Sequence, residues 1–194
     1  MAVTNVLIAG VGGQGAVLAS EILAMAAAAA GKDVKQGEFH GVAQRGGAVF
    51  SHVRFGDHVY SPMARQGEVD FLLALEKLEA LRYAHYVRPG GTIIVNDHQV
   101  DPIRTVDDRP YPEDAIEFLA RKEFKVIPVK ATATAIELGN HRAANVTLLG
   151  ALADSLDIPA ETWDATLAKR IPERFLDVNQ KAFQAGRESA RGAS

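Results

Sequence analysis

Apolar positions along this chain fall in two kinds of run, short continuous blocks and longer stretches at three-to-four spacing, and the two alternate from the start. Asn5–Ala9 is a compact apolar block that predicts a strand. Gly10–Gly15 follows as a glycine-rich turn, and Gln14 to about Ala30 carries Val17, Leu18, Ile22, Leu23 and Met25 at helical spacing among alanines. Gly31-Lys32 closes that helix with a glycine beside a cation. A second strand is expected over Val34–Glu38. The segment Phe39–Gly47 has too little apolar periodicity for a core element and predicts a glycine-rich loop. Ala48–Phe55 then alternates, with Val49, Ser51, Val53 and Phe55 on one face, and Gly56-Asp57 predicts a turn from which Val59-Tyr60 begins a returning strand.

The second half keeps the alternation and then loses its strands. Asp70–Leu75 and Thr92–Asn96 are continuous apolar runs of the kind buried on both faces of a parallel sheet. Between them Glu79–Val87 predicts a helix stopped by Pro89-Gly90-Gly91. Val100 to Pro112 predicts loop or hairpin, and Pro112 with the acids after it suits the first turn of a helix reaching about Lys122. Lys125–Val129 is the last strand. Helices are expected over Ala131–Leu138, Ala143–Leu156, Ala160–Arg170 and Glu173–Ala185, separated by Gly139-Asn140, Asp157–Pro159 and Pro172. The fold class is therefore α/β: a mostly parallel twisted sheet flanked by helices, with an antiparallel hairpin and a helical C-terminal part from about Ala131, all in a single domain over residues 1–194.

Composition narrows what such a domain can do. With 194 residues and 47% hydrophobic content it can bury a core, and a formal net charge of -3 gives no electrostatic reason to expect nucleic acid or an anionic membrane. There is no cysteine, so no disulfide, thiolate-ligated cluster or cysteine nucleophile resides on this chain. None of the six histidines falls in a metal-ligand spacing. The N-terminus lacks the basic and long apolar regions of a secretory signal, and the alanine run Ala26–Ala30 is too short to span a bilayer, so a cytoplasmic location is expected.

Two segments carry candidate chemistry. Gly10-x-Gly12-x-x-Gly15 is a dinucleotide-type fingerprint placed after a strand and before a helix, where N–H groups of Gly12, Gly13, Gln14 and Gly15 can meet a phosphate. Glu38 lies where a ribose-binding acid would sit, which opens a free-standing NAD-binding reading. The same residues also suit a tight packing turn in which the Gln14 side chain is not needed, and both readings stay open. The second segment includes His40, Gln44, Arg45, Gly46 and Gly47. Its glycines permit close approach, Arg45 offers a planar fork for a carboxylate or phosphate, and His40 brings an imidazole, the side chain type suited to proton exchange near neutral pH. It favours a contact role over a merely solvated loop. His52, His58 and His85 stand alone and read as surface or satisfied core histidines. Asp107-Asp108 and Glu113-Asp114 read as a solvated face, and Asn140-His141-Arg142 with Asn145 as capping and interhelical hydrogen bonding.

These motifs occur together in one family. Gly10-Val-Gly12-Gly13-Gln14-Gly15, with Glu38-Phe-His40-Gly-Val-Ala-Gln44-Arg45-Gly46-Gly47, resembles the gamma module of pyruvate and 2-oxoacid ferredoxin oxidoreductases. Ser51-His-Val-Arg54-Phe-Gly56 with Ser61-Pro62, Leu73-Ala-Leu-Glu76-x-x-Glu79-Ala-Leu-Arg82-Tyr83 and Asn145-x-x-Leu148-Leu-Gly150-Ala are similar to the indolepyruvate:ferredoxin oxidoreductase beta-subunit family. The resemblance implies a small subunit with no catalytic residues, metal or cofactor of its own. It would dock on a large subunit that carries thiamine diphosphate and [4Fe-4S] clusters. The complex would decarboxylate an aryl 2-oxoacid oxidatively to its coenzyme A thioester and reduce ferredoxin, with coenzyme A contacted here at most. A non-catalytic regulatory or scaffold paralogue with the same fold is the remaining alternative.

Overall fold

The computed structural model describes residues 3–40, 47–101 and 111–192. Its elements in chain order are β1 (Val3–Val11), α1 (Ala16–Ala29), β2 (Asp33–His40), β3 (Ala48–Gly56), β4 (Val69–Ala74), α2 (Lys77–Tyr83), β5 (Val87–Asn96), α3 (Ala115–Ala120), β6 (Lys125–Val129), α4 (Ala131–Glu137), α5 (Ala144–Ala153), α6 (Ala160–Arg170) and α7 (Glu173–Gly192). The strands form one six-stranded sheet in the order β2-β3-β1-β4-β5-β6. The ladders β1–β4, β4–β5 and β5–β6 are parallel, and β3 runs antiparallel to both β1 and β2.

Period-2 geometry explains why the central strands read as unbroken apolar runs. Val6 and Ile8 face one apolar cluster with Leu73, Ile94 and Ile127, while Leu7 and Ala9 face another with Leu72, Ala74, Ile93 and Val95. Helices α1, α5, α6 and α7 cover the first face and α2 and α3 the second, so neither side of a central strand meets water. The edge strand β2 (Asp-Val-Lys-Gln-Gly-Glu-Phe-His) is polar, as an exposed edge must be.

Three expectations change. Phe39 and His40 are the last residues of β2 rather than loop, and positions 41–46, with Gln44, Arg45 and Gly46, lie outside the described residues. Val59-Tyr60 forms no strand, because both edges of β3 are already taken by β1 and β2. The chain instead crosses the sheet as a strap: the Val59 amide donates to Asp33 (2.8 Å), and Arg54 donates to the carbonyls of Ser61 and Met63 (2.9 and 3.0 Å) and to Asn5 (2.7 Å). The helix expected over Glu79–Val87 begins two residues earlier, ends at Tyr83 and passes through a 3-10 turn at Ala84–Tyr86 into β5. Pro89-Gly90-Gly91 therefore does not end a helix. It forms a bulge inside β5, with Val87 opposite Val69 and Thr92 opposite Phe71.

The C-terminal helices are fastened by a close crossing. In α7 the buried positions Asn179, Ala182, Phe183, Gly186 and Ala190 recur at three-to-four spacing and face α5. A Cβ at Gly186 would overlap the Thr147 carbonyl, and one at Gly150 would overlap the Phe183 carbonyl. The two backbones are thus in direct contact through a pair of glycines.

His52 also departs from expectation. It is fully buried on the α2 side of β3, edge-on to Phe39, Phe50 and Tyr86, and among the described residues neither ring nitrogen has a hydrogen-bond partner. Burial, with a smaller contribution from Arg54, pushes its imidazole down to about 4, so it is a neutral aromatic at pH 7. His58 and His85 are exposed.

Candidate functional site: a crevice at the strand ends

Strand order locates the site. After β1 the chain turns toward β2 and β3, and after β4 it turns the opposite way toward β5 and β6; α1 and α2 lie on opposite faces. The carboxyl ends of β1 and β4 are therefore a topological switch point, where an α/β sheet opens a crevice. A cavity of about 300 Å³ lies there. Gly13, Gln14 and Gly15 line it from the turn after β1, Leu75 from just past β4, Asn96 and His98 from the end of β5 and beyond it, Thr132 from the first turn of α4, Arg142 from the turn before α5 and Asn145 from α5 itself.

The glycine turn has a distinct reason at each position. Gly13 and Gly15 take positive φ (101° and 83°), which L side chains rarely adopt. A Cβ at Gly15 would in addition overlap the Asn145 amide, which donates to the Gly15 carbonyl (3.0 Å). Gly12 donates its N–H to the Gly47 carbonyl (2.9 Å), and Val11 pairs with Ala48. The two glycine-rich motifs, far apart in sequence, thus meet at the same end of the sheet.

Gln14 is not a spare side chain, contrary to the packing-turn expectation. Its Oε1 accepts from the Val11 amide (2.9 Å) and its Nε2 donates to the Leu75 carbonyl (3.2 Å), tying the turn to β4. Asn96 donates to the same carbonyl (3.1 Å) and to Thr132 (2.8 Å), and accepts from the Thr132 amide (3.2 Å). Gln14, Asn96 and Asn145 are thereby consumed in holding the crevice together. Gln14→Ala is expected to lower stability by about 1–2 kcal/mol, because it leaves the Val11 amide and the Leu75 carbonyl each short of one bond. A chemical denaturation midpoint equal to wild type would contradict this.

What remains for a ligand is cationic and backbone in character. The first turn of α1 has no side-chain cap and no acidic residue, so its N–H groups lack intrahelical acceptors beside the crevice. Arg142 is exposed, and among the described residues its guanidinium has no carboxylate partner. Asn140 caps the short turn before α5 by accepting from the Arg142 amide (3.2 Å), as anticipated. His98 and His141 stand nearby. Sequence reasoning did not assign Asn96, His98 or Thr132 to the site. Their signal was position, since each lies at or just beyond the carboxyl end of a parallel strand.

Glu38 is not brought to the glycine turn. With β3 inserted antiparallel between β1 and β2, Glu38 sits on the edge strand, exposed, and accepts from Gln36 (3.0 Å). A Rossmann site needs the second strand beside the first to bring its acid to the ribose. That arrangement is absent here. Glu113 and Asp114 are exposed, as expected of a solvated face, and Asp107-Asp108 lies outside the described residues.

Fold and crevice together define an α/β domain of the class that receives ligands at the carboxyl ends of its strands. The chain belongs to the pyruvate ferredoxin/flavodoxin oxidoreductase family, which matches residues 5–189. It is 39% identical over 193 residues to "Indolepyruvate oxidoreductase subunit IorB" of Pyrococcus horikoshii, covering 96% of each chain. A solved keto/oxoacid ferredoxin oxidoreductase gamma subunit from Geobacter sulfurreducens superposes with a TM-score of 0.74 at 29% identity, over 97% of this chain and 99% of that one. A 2-oxoglutarate:ferredoxin oxidoreductase from Magnetococcus marinus, solved with 2-oxoglutarate, coenzyme A and succinyl-CoA bound, shares the fold with a TM-score of 0.76 at 22% identity, and there the match covers 99% of this chain but 32% of a longer one. No helix among the described residues is long and apolar enough to cross a membrane.

Proposed function

We propose that this chain is the small subunit of an indolepyruvate-type 2-oxoacid oxidoreductase. The observation that carries the reading is similarity over 96% of both chains to a subunit of that enzyme. The absence of cysteine fits a division of labour in which another subunit ligates the clusters. On that large subunit thiamine diphosphate and [4Fe-4S] clusters supply the decarboxylation of an aryl 2-oxoacid and the transfer of its electrons to ferredoxin. This chain's residues act in binding and assembly, and none is assigned a catalytic role.

The crevice suits a phosphate-bearing ligand at the subunit junction, for which coenzyme A is the fitting candidate. Backbone amides of Gly13 and Gly15 would hold an anion at the start of α1, with Arg142 supplying charge from the turn before α5, while those of Gly12 and Gln14 already donate to the Gly47 and Val11 carbonyls. His40, Gln44, Arg45, Gly46 and Gly47 belong to a segment whose described ends, His40 and Gly47, adjoin this edge of the sheet. They are proposed to face the large subunit or the coenzyme. The formal net charge of -3 gives no electrostatic reason to add nucleic acid or an anionic membrane surface to these partners.

Co-purification from the native source tests the assembly: a cysteine-rich, thiamine-binding partner is expected, and its absence would overturn the reading. In the reconstituted complex, Arg142→Ala is expected to raise KM for coenzyme A about tenfold with little change in kcat, the loss of one charge-assisted hydrogen bond being worth roughly 1.5–3 kcal/mol. Arg45→Ala is expected to weaken assembly or coenzyme A use without unfolding the subunit. Wild-type kinetics in both variants would remove the coenzyme from this crevice.

A further inference from the structure

On the α2 side of the strand ends lies a group of ionisable side chains that the proposed function does not use. Glu76 and Glu79 are both 1% exposed, one helical turn apart at the start of α2. Glu76 caps the helix: one of its carboxylate oxygens accepts from the Glu79 amide and the other from the Tyr111 hydroxyl (2.5 Å). Tyr111 in turn accepts from the Leu78 amide (2.9 Å), so its hydroxyl completes the cap. The Lys77 amide donates to the His98 carbonyl (3.1 Å), which fastens the segment after β5 to the same helix turn. His98 and Val100 of that segment form a wall of the crevice.

Glu79 lies directly beneath this cap. Its Oε1 is 3.3 Å from Arg82, a half-exposed side chain, and its buried Oε2 has no hydrogen-bond partner among the described residues. Burial holds the carboxyl up at about 7, against the pull of Arg82 and with a further push from Glu76. The other groups around it are Tyr83 on α2 and Tyr111, both raised by burial first, and Lys77, which points to Asp97 (3.9 Å) and over the Tyr111 ring. Among the described residues Arg82 is the cation paired with Glu79, and Glu76 is already committed as an acceptor at both oxygens.

We propose that Glu76, Glu79 and Tyr111 form a proton-operated latch on the crevice wall: with Glu79 protonated the first turn of α2 grips Tyr111 and His98, and loss of that proton loosens the grip. The proton leaves to solvent and no covalent bond changes. Deprotonation places a second negative charge under a cap whose only charged acceptor is already Glu76. The new carboxylate has one oxygen without a donor among the described residues, so it gains most by admitting water, and water reaches it by opening the helix turn. The device regulates the crevice proposed above but is independent of which ligand enters it.

Amide hydrogen exchange on the full chain between pH 6 and 8, corrected for the intrinsic pH dependence of exchange, reads the latch. Protection at Lys77, Leu78 and Glu79 is expected to fall about tenfold or more as pH rises, while Ile93, Ile94 and Val95 in the sheet stay unchanged. Glu79→Gln is expected to flatten the profile, and Tyr111→Phe to leave the three amides poorly protected at both ends of the range. A carboxyl-carbon NMR titration of Glu79 in the unaltered protein should give the same midpoint as the loss of protection, which keeps the test decisive if a variant fails to fold. A flat wild-type profile, a profile shared by the sheet amides, or a Glu79 midpoint below about 5 overturns the proposal. Because no partner or coenzyme is present, any of these outcomes leaves the subunit assignment where it stands.

Discussion

Alanine at Gly186 is expected to destabilise the protein by about 3 kcal/mol or more, and alanine at Gly150 by a similar amount. Helix propensity alone predicts the opposite sign, since Gly→Ala inside a helix gains roughly 1 kcal/mol. The crossing decides which effect wins. The added methyl meets a backbone carbonyl, Thr147 for Gly186 and Phe183 for Gly150, and a carbonyl bonded into its own helix cannot rotate aside as a side-chain tip can. Relief requires the axes of α5 and α7 to separate, which would loosen Phe183 and its neighbour Trp163, both 1% exposed. For a domain of this size the loss corresponds to a fall in Tm of roughly 6–12 °C. Gly192, at the end of α7, has nothing within 4 Å of an added Cβ, so Gly192→Ala serves as the control and should be neutral. Thermal melts that leave Gly186→Ala at the wild-type Tm would contradict the close crossing.

The second large effect is a pH dependence hidden by cancellation. His52 titrates at about 4 in the fold against an ordinary 6.5, so between those values the unfolded chain binds more protons, and stability falls as pH drops from about 6.5 to about 4. Glu79 titrates at about 7 against an ordinary 4.5; there the folded chain binds more protons, and stability falls as pH rises from about 4.5 to about 7. Each shift is worth up to about 3 kcal/mol, and the windows overlap with opposite slopes. These two groups therefore leave the wild-type denaturation midpoint nearly level between pH 5 and 6.5. His52→Phe, which keeps an aromatic ring against Phe39, Phe50 and Tyr86, should unmask a stability that falls with rising pH. Glu79→Gln should unmask one that rises. Denaturant midpoints across this range read the slopes independently of any constant cost of the substitutions. Equal slopes in the two variants would show that one of the side chains is not buried as described.

Much of the fold was legible because its elements are locally consistent. The apolar blocks at Asn5–Ala9, Asp70–Leu75, Thr92–Asn96 and Lys125–Val129 announce strands covered on both faces, and each one is a strand of the parallel part. Three of the four C-terminal helices fall close to their predicted bounds, since Pro and Gly punctuate them, whereas α7 starts at Glu173 as expected but runs on past Ala185 to Gly192. The errors concern pairing. Val59-Tyr60 has strand-like residues but no free edge to join, and Pro89-Gly90-Gly91 reads as a helix stop although it builds a bulge. The glycine turn was legible as a motif, whereas the role of Gln14 was not, because its acceptor on Leu75 lies 61 residues away.

By itself the sequence determined most of the element types, the glycine-rich turn after β1, the lack of any thiolate and the family resemblance. These follow from local backbone sterics, composition and motif spacing, which act within a few residues. Tertiary structure alone decided that β3 separates Glu38 from the glycine turn, that Gly12 meets Gly47, and that Gly150 meets Gly186. It also decided that His52 and Glu79 are buried. The physical reason is common to all of these. Strand order, helix crossing distance and desolvation depend on which distant segments share a face, and no pattern within one segment records that.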